Sequence, residues 1–188
     1  MRLDAPRISP LPDEALPPEL WERMKTRPSA DGMLNIFRTM AHDPLGMNAF
    51  LDWGGYILSK KNGLPARQRE IVILRTGFLC KSGYEWNQHV RVGTNAGLTA
   101  AEIDAIKTGA GDPSWSAADA ALIVATDELH ANYFISDAAW AELGKHFNDN
   151  QKADLIFTAG QYTMVSMFLN SVGVQLETGK TVDPDLRA

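Results

Sequence analysis

Apolar residues along this chain recur at helical spacing in one stretch after another, and the breaks between stretches carry proline, glycine or a short polar cap. A short helix is expected from about Glu19 to Lys25, with Pro28 breaking it. Asp31 is placed to cap a helix whose apolar positions are Met33, Leu34, Ile36, Phe37 and Met40. Asp43 and Pro44 then supply a cap and a first-turn proline for a helix running through Phe50, Leu51, Tyr56, Ile57 and Leu58, which Gly63 ends. Pro65 starts the next helix, with Ala66 to Glu70 as polar first turns and Ile71, Val72, Leu74, Phe78 and Leu79 as the buried stripe.

Gly83 marks a break before a helix from Tyr84 to Ala96, and Gly97 stands where a left-handed C′ residue belongs. Thr99 and Glu102 have the spacing of a capping box and open a short helix to about Lys107. Thr108 to Trp115 is the one clear internal loop and the natural seam between two halves. Ser116 caps a helix carrying Leu122, Ile123, Ala125, Leu129 and His130, and Ser136 caps another with Trp140 and Leu143. A long helical pattern runs from about Asn148 through Leu155, Ile156, Tyr162, Met164, Met167 and Phe168 to near Glu177. No stretch alternates with period two between hairpin turns, so the expected fold is all-α with about eight helices. Laying Leu64–Leu74 on Phe147–Phe157 pairs Gln68 with Gln151, Arg69 with Lys152 and Val72 with Leu155, a pattern that fits either a duplicated helical unit or two independent amphipathic helices.

Composition adjusts this picture at a few points. Residues 1 to 18 hold prolines at positions 6, 10, 12, 17 and 18, which favours an extended arm laid over the body or a neighbouring subunit. Residues 19 to 188 are then a single domain, since 188 residues suffice for one well-buried core. A net charge of −5 without a Lys/Arg cluster argues against nucleic acid and anionic membranes as partners. The absence of a signal-type or spanning apolar run leads to an expected cytoplasmic location. Cys80 is the only cysteine, so no disulfide and no paired-cysteine redox or zinc motif can form within one chain.

The candidate chemistry lies in the Tyr84-Glu85-Trp86-Asn87-Gln88-His89 segment. On a helix, Glu85 and His89 share one face, and a carboxylate touching an imidazole can orient the ring and keep a proton exchangeable near neutral pH. The plainer account is a helix-supporting pair worth a few tenths of a kcal/mol. Tyr84 and Trp86 could be packing aromatics, and Cys80, between Leu79 and Lys81, a small buried hydrophobe. His130 could pair with Asp127; a metal site would need Glu85 and His89 as well, and the paired Glu-x-x-His repeats of di-iron bundles are missing. His42 and His146 fall at helix ends, where capping accounts for them.

Glu70, Ile73-Leu74-Arg75, Tyr84-Glu85-Trp86-x-x-His89, Ala96-Gly97-Leu98-Thr99 and Glu102-Ile103 together resemble the carboxymuconolactone decarboxylase family, which includes the alkylhydroperoxidase D (AhpD) type proteins. The likeness is specific over about Leu64 to Ala105 and looser from Ser116 onward. It implies an AhpD-like all-helical fold assembling into homo-oligomers, trimers or hexamers, with the site near a subunit contact. AhpD-like members reduce peroxides with a Cys-x-x-Cys-x-x-x-His motif; aligning His89 with the motif histidine puts Ser82 and Glu85 where the thiols would be.

That departure favours the decarboxylase side of the family: a lyase doing acid–base chemistry on a small carboxylated or lactone substrate, without flavin, nucleotide or metal. His89, Glu85 and Glu70 would carry protons, Tyr84 would donate to a developing enolate oxygen, and Arg75 or Arg91, with Trp86, would hold the substrate. The alternatives are a peroxide reductase working through the single Cys80, and a non-catalytic binding or scaffold protein. Convergence of Glu70, Glu85 and His89 on one enclosed cavity separates the enzyme reading from the scaffold.

Overall fold

Helix starts in this chain are set by local caps, and the computed structural model, which describes residues 3–25 and 32–187, follows them closely. The described residues form α1 (Pro18–Lys25), α2 (Asn35–Met40), α3 (Pro44–Ile57), α4 (Ala66–Leu79), α5 (Gly83–Asn95), α6 (Ala100–Thr108), α7 (Ala117–Asn132), α8 (Asp137–Leu143) and α9 (Asp149–Val172), with no strand among them. Asp43 accepts from the Gly46 N–H ahead of Pro44, and Thr99 with Glu102 makes the expected capping box. Ser116, Ser136 and Asn148 cap α7, α8 and α9 through N3 backbone N–H groups. Pro28 and Asp31 lie outside the described residues.

Helix ends depart from expectation where distant parts of the chain intervene. α3 stops at Ile57, well before Gly63, and beyond its end the carbonyls of Leu58 and Ser59 accept from Arg69 of α4 at 3.3 and 3.2 Å. The α4–α5 break falls at Cys80 to Ser82, where Lys81 takes φ 55°, and Gly83 is the first residue of α5. α9 ends at Val172, short of Glu177. Gly173 turns left-handed there at φ 77°, and a Cβ at that position would lie 2.9 Å from the Ala5 carbonyl. The proline-rich arm thus crosses the end of α9 on its own chain, with Arg7 N–H donating to Val172 O and Leu11 N–H to Arg38 O.

α4 is the centre of the molecule, packed by α5, α7 and α9. Arg69 through Gly77 are all buried, so the helix lacks the solvated face that its polar residues suggested. Replacing a fully enclosed side chain such as Ile73 by alanine should cost about 2–5 kcal/mol. One apolar cluster joins Leu64, Val72, Phe147 and Leu155, so two of the pairs in the internal self-match meet in the same core. Ile156 and Phe157, the counterparts of Ile73 and Leu74, are instead 38% and 44% exposed.

Candidate active site

α4 and α5 run side by side, and this brings Glu70 to His89 across 19 positions of sequence. Glu70 Oε2 lies 2.7 Å from His89 Nδ1, and Glu85 Oε1, one turn earlier on α5, lies 3.3 Å from Nε2. Both carboxylates are almost fully buried, at 1% and 3% exposure. Gly77 of α4 makes the approach possible, because a Cβ there would press to 3.1 Å from Glu85 Cγ. From α9, the Tyr162 ring meets the imidazole edge-on with centroids 4.9 Å apart.

Burial pushes the Glu85 carboxyl up to about 7; His89 pulls it down and Glu70 adds to the rise. At His89, burial opposes charge, but the field and hydrogen bond of Glu70, with the field of Glu85, outweigh it and raise the imidazole pKa. The Glu70 carboxylate accepts a hydrogen bond from Nδ1–H, which leaves Nε2 and the Glu85 carboxyl to share the next proton. The arrangement therefore holds a proton that either partner can carry near neutral pH. Glu70 Oε1 is buried without a hydrogen-bond partner, which adds to the local demand for positive charge.

Glu85 and His89 open onto a cavity of about 430 Å³; Glu70 stands behind the imidazole and does not line it. The walls are mainly apolar: Leu34, Ile36 and Phe37 at α2, Phe50 and Leu51 of α3, and Val165 and Leu169 of α9. Gln88, Gln161 and Tyr162 are the polar groups beside the pair, and Arg91 lies at the exposed edge. The size suits a small-molecule ligand.

The other expected site residues fall elsewhere or are otherwise engaged. Arg75 does not reach the cavity. Its guanidinium is buried, bidentate to Asp127 at 2.6 and 2.9 Å, and bound to the carbonyls of Ile106 and Lys107, so it ties α4 to α6 and α7. Asp127 accordingly pairs with Arg75 and not with His130. Trp86 packs on Phe78 at 5.8 Å beneath the Lys107 ammonium, away from the cavity. Tyr84 lines the cavity, but its hydroxyl proton goes to Glu177 Oε1 at 2.5 Å, which removes it as a donor to an enolate oxygen. Burial and that hydrogen bond raise its pKa.

Cys80 caps the end of α4, half-buried, with Sγ 3.8 Å from His130 Nδ1. It lines a separate cavity of about 280 Å³ with Thr76, Thr126, Tyr133 and Met167. His42 donates to Ser9 O, and His146 lies near Glu142. Among the described residues, no group of three His, Cys, Asp or Glu side chains is arranged to hold a metal ion. No helix among them is long and apolar enough to cross a membrane.

Sequence reasoning missed Gln161 and Tyr162 as cavity residues, Arg69 as a buried cation whose field opposes charge on His89, and Glu177 as the partner of Tyr84. A polar Gln161 inside the long apolar pattern of α9, and the Gly54-Gly55 doublet facing it from α3, were the available signals.

Comparison with solved structures gives the same fold several times. An uncharacterized peroxidase-related protein from Silicibacter sp. TM1040 superposes with a TM-score of 0.76 at 17% identity, covering 94% of this chain and 92% of that one. A second peroxidase-related protein, from Ralstonia eutropha JMP134 and described as an alkylhydroperoxidase AhpD core, gives 0.73 at 19% identity over 91% and 93%. A Cys-to-Ala variant of the debrominase Bmp8 in complex with 2,3,4-tribromopyrrole gives 0.76 at 12% identity over 96% and 93%. At these identities the likeness is one of fold. No curated protein matches the chain. The family model described as Carboxymuconolactone decarboxylase family matches residues 44–127, a span that runs from the start of α3 into α7 and holds Glu70, Glu85 and His89; over that span the chain is similar to the carboxymuconolactone decarboxylase family, and its fold is AhpD-like and all-helical.

Proposed function

We propose that the chain is an acid–base enzyme in which Glu85 and His89 exchange a proton with a small, largely apolar carboxylated or lactone substrate. The observation that carries this reading is the contact of Glu70, His89 and Glu85 at 2.7 and 3.3 Å, with His89 and Glu85 on one wall of a largely apolar cavity and Glu70 behind the imidazole. In a lyase-type step, the bond to a departing carboxylate breaks, its electron pair moves onto the adjoining carbonyl, and the resulting carbanion takes its proton from the Glu85–His89 pair. Glu70 is the positioning carboxylate, holding the ring by Nδ1. Gln161 and Tyr162 are the donors beside the developing oxyanion, in place of Tyr84. With Arg75 engaged by Asp127, Arg91 is the anchor for one substrate carboxylate, so the reading favours substrates with one anionic group at the cavity edge and an apolar ring inside.

Turnover of a panel of lactones and keto acids from aromatic catabolism by wild type and His89→Ala tests the reading. Consumption by wild type that the variant loses supports it; equal turnover by both removes His89 from the mechanism. The chain is further proposed to self-associate, since Tyr133, Phe134, Met164 and Met167 are exposed; light scattering at 20.7 kDa would contradict that.

A second reading follows from the Sγ–Nδ1 distance at Cys80: a thiolate held by His130 would attack a hydroperoxide, giving a sulfenic acid and an alcohol, and an external thiol would then reduce it. The peroxidase-related names of two fold neighbours belong with this reading. Absence of a peroxide-induced sulfenic acid on Cys80 would end it.

A further inference from the structure

The carboxylate of Glu177, in the segment after α9, joins three parts of the chain beside the main cavity. Its Oε1 accepts the Tyr84 hydroxyl at 2.5 Å and the backbone N–H of Asn35 at 3.0 Å, and its Oε2 accepts Gln88 Nε2 at 2.6 Å. Asn35 opens α2, whose own N-cap residue, Leu34, provides no side-chain cap. Glu177 therefore caps this helix from 142 positions away. The Asn35 side chain returns a bond to Gln175 O at 3.1 Å, and Ile36 N–H donates to the Tyr84 oxygen at 3.4 Å.

These bonds sit where the cavity needs support. Leu34, Ile36 and Phe37 make one wall, and Tyr84 and Gln88 the wall beside it. A helix of six residues does not hold itself together in water and depends on what docks it. We propose that Glu177 is a positioning residue: its carboxylate clips the α2 wall to α5 and so holds the cavity wall in place beside Glu85 and His89. It acts through Tyr84, Gln88 and the α2 backbone. The inference rests on the cavity's being the binding site, as the proposed function requires, and holds whatever reaction occurs there.

The test pairs hydrogen exchange, which needs no ligand, with binding of 4-nitrophenol, a small aromatic acid whose ionised form is coloured. Loss of the carboxylate in Glu177→Ala should speed exchange of the α2 amides by about tenfold or more, leave α4 amides unchanged and weaken 4-nitrophenol binding by about tenfold, the scale of one or two lost hydrogen bonds. Glu177→Gln keeps an acceptor for Tyr84 and Asn35 and should stay within about threefold of wild type on both readouts. Tyr84→Phe removes one bond and should speed α2 exchange by a smaller factor, which preserves the test should Glu177→Ala fold poorly. Unchanged α2 exchange in Glu177→Ala, or a loosening spread evenly over all helices, would overturn the clip. Failure of wild type to bind the probe would count against the cavity as the binding site, while exchange alone would still decide the clip.

Discussion

His89 and His130 each stand beside another titratable side chain, and each lines a cavity, yet their surroundings differ in the property that matters for proton chemistry. His89 is buried, gripped at Nδ1 by Glu70 and approached at Nε2 by Glu85, with Tyr162 against its ring edge. His130 is exposed, on the last turn of α7, with the Cys80 thiol 3.8 Å from its Nδ1. Burial raises the proton affinity of Glu85, and at His89 burial lowers it but the two carboxylates outweigh that, whereas His130 lies exposed with no carboxylate contact of this kind among the described residues. Proximity of two reactive groups is therefore common to both places, and desolvation belongs to one.

The largest expected effect comes from removing the buried imidazole. His89→Gln should lower turnover of any substrate the wild type consumes by about 10²–10⁴, the usual worth of a general acid–base group, while His130→Gln should leave it within about twofold. A comparable loss in both variants would erase the distinction between the two sites.

Next in size is the pH dependence of stability. Glu85 binds its proton more tightly folded, at about 7 against an ordinary 4.5, and the His89 pKa is also raised. The folded state thus holds more protons than the unfolded chain in that window. The stability this gives is full below pH 4.5 and is lost as pH rises through about 7. Urea unfolding should show wild type weakening between pH 5 and 8, by a Glu85 share on the order of 3 kcal/mol at most, and Glu85→Gln should flatten the slope. A flat wild-type profile would place Glu85 in a far wetter setting.

Gly77→Ala sharpens the comparison by disturbing one site alone. The new methyl meets Glu85 Cγ at 3.1 Å, so Glu85 must shift, while helix propensity favours alanine by about 1 kcal/mol. Activity should fall about tenfold with thermal stability nearly unchanged, since small displacements of a proton-transfer group are costly. The smallest effect is expected from Cys80→Ser, within about twofold on the acid–base reaction, because Cys80 lines the other cavity. A large loss there would reverse the ranking of the two sites.

What could be read from the chain follows the range of the forces involved. The caps at Asp43, Thr99, Ser116 and Ser136 act within three residues, and the pairing of Glu85 with His89 within four; all were legible locally. The ends of α3 and α9 were not, and both are met there by distant parts of the chain, Arg69 at one and the N-terminal arm at the other. Arg75 shows the same limit in the candidate site. A charged residue near the candidate segment suits a substrate anchor, until Asp127 arrives 52 positions later and takes its guanidinium. Glu177 and Tyr162 were hidden for that reason too: their roles depend on which helix they face.

The account stands most directly on the charge state of one carboxyl. Glutamate side-chain carboxyl carbons followed by NMR across pH, in wild type and in Glu85→Gln, would read it. The prediction is one resonance titrating at about 7 in the wild type and absent from the variant. If every glutamate in the wild type titrates in the ordinary carboxylate range, the buried proton-sharing pair at the heart of the proposed function does not exist.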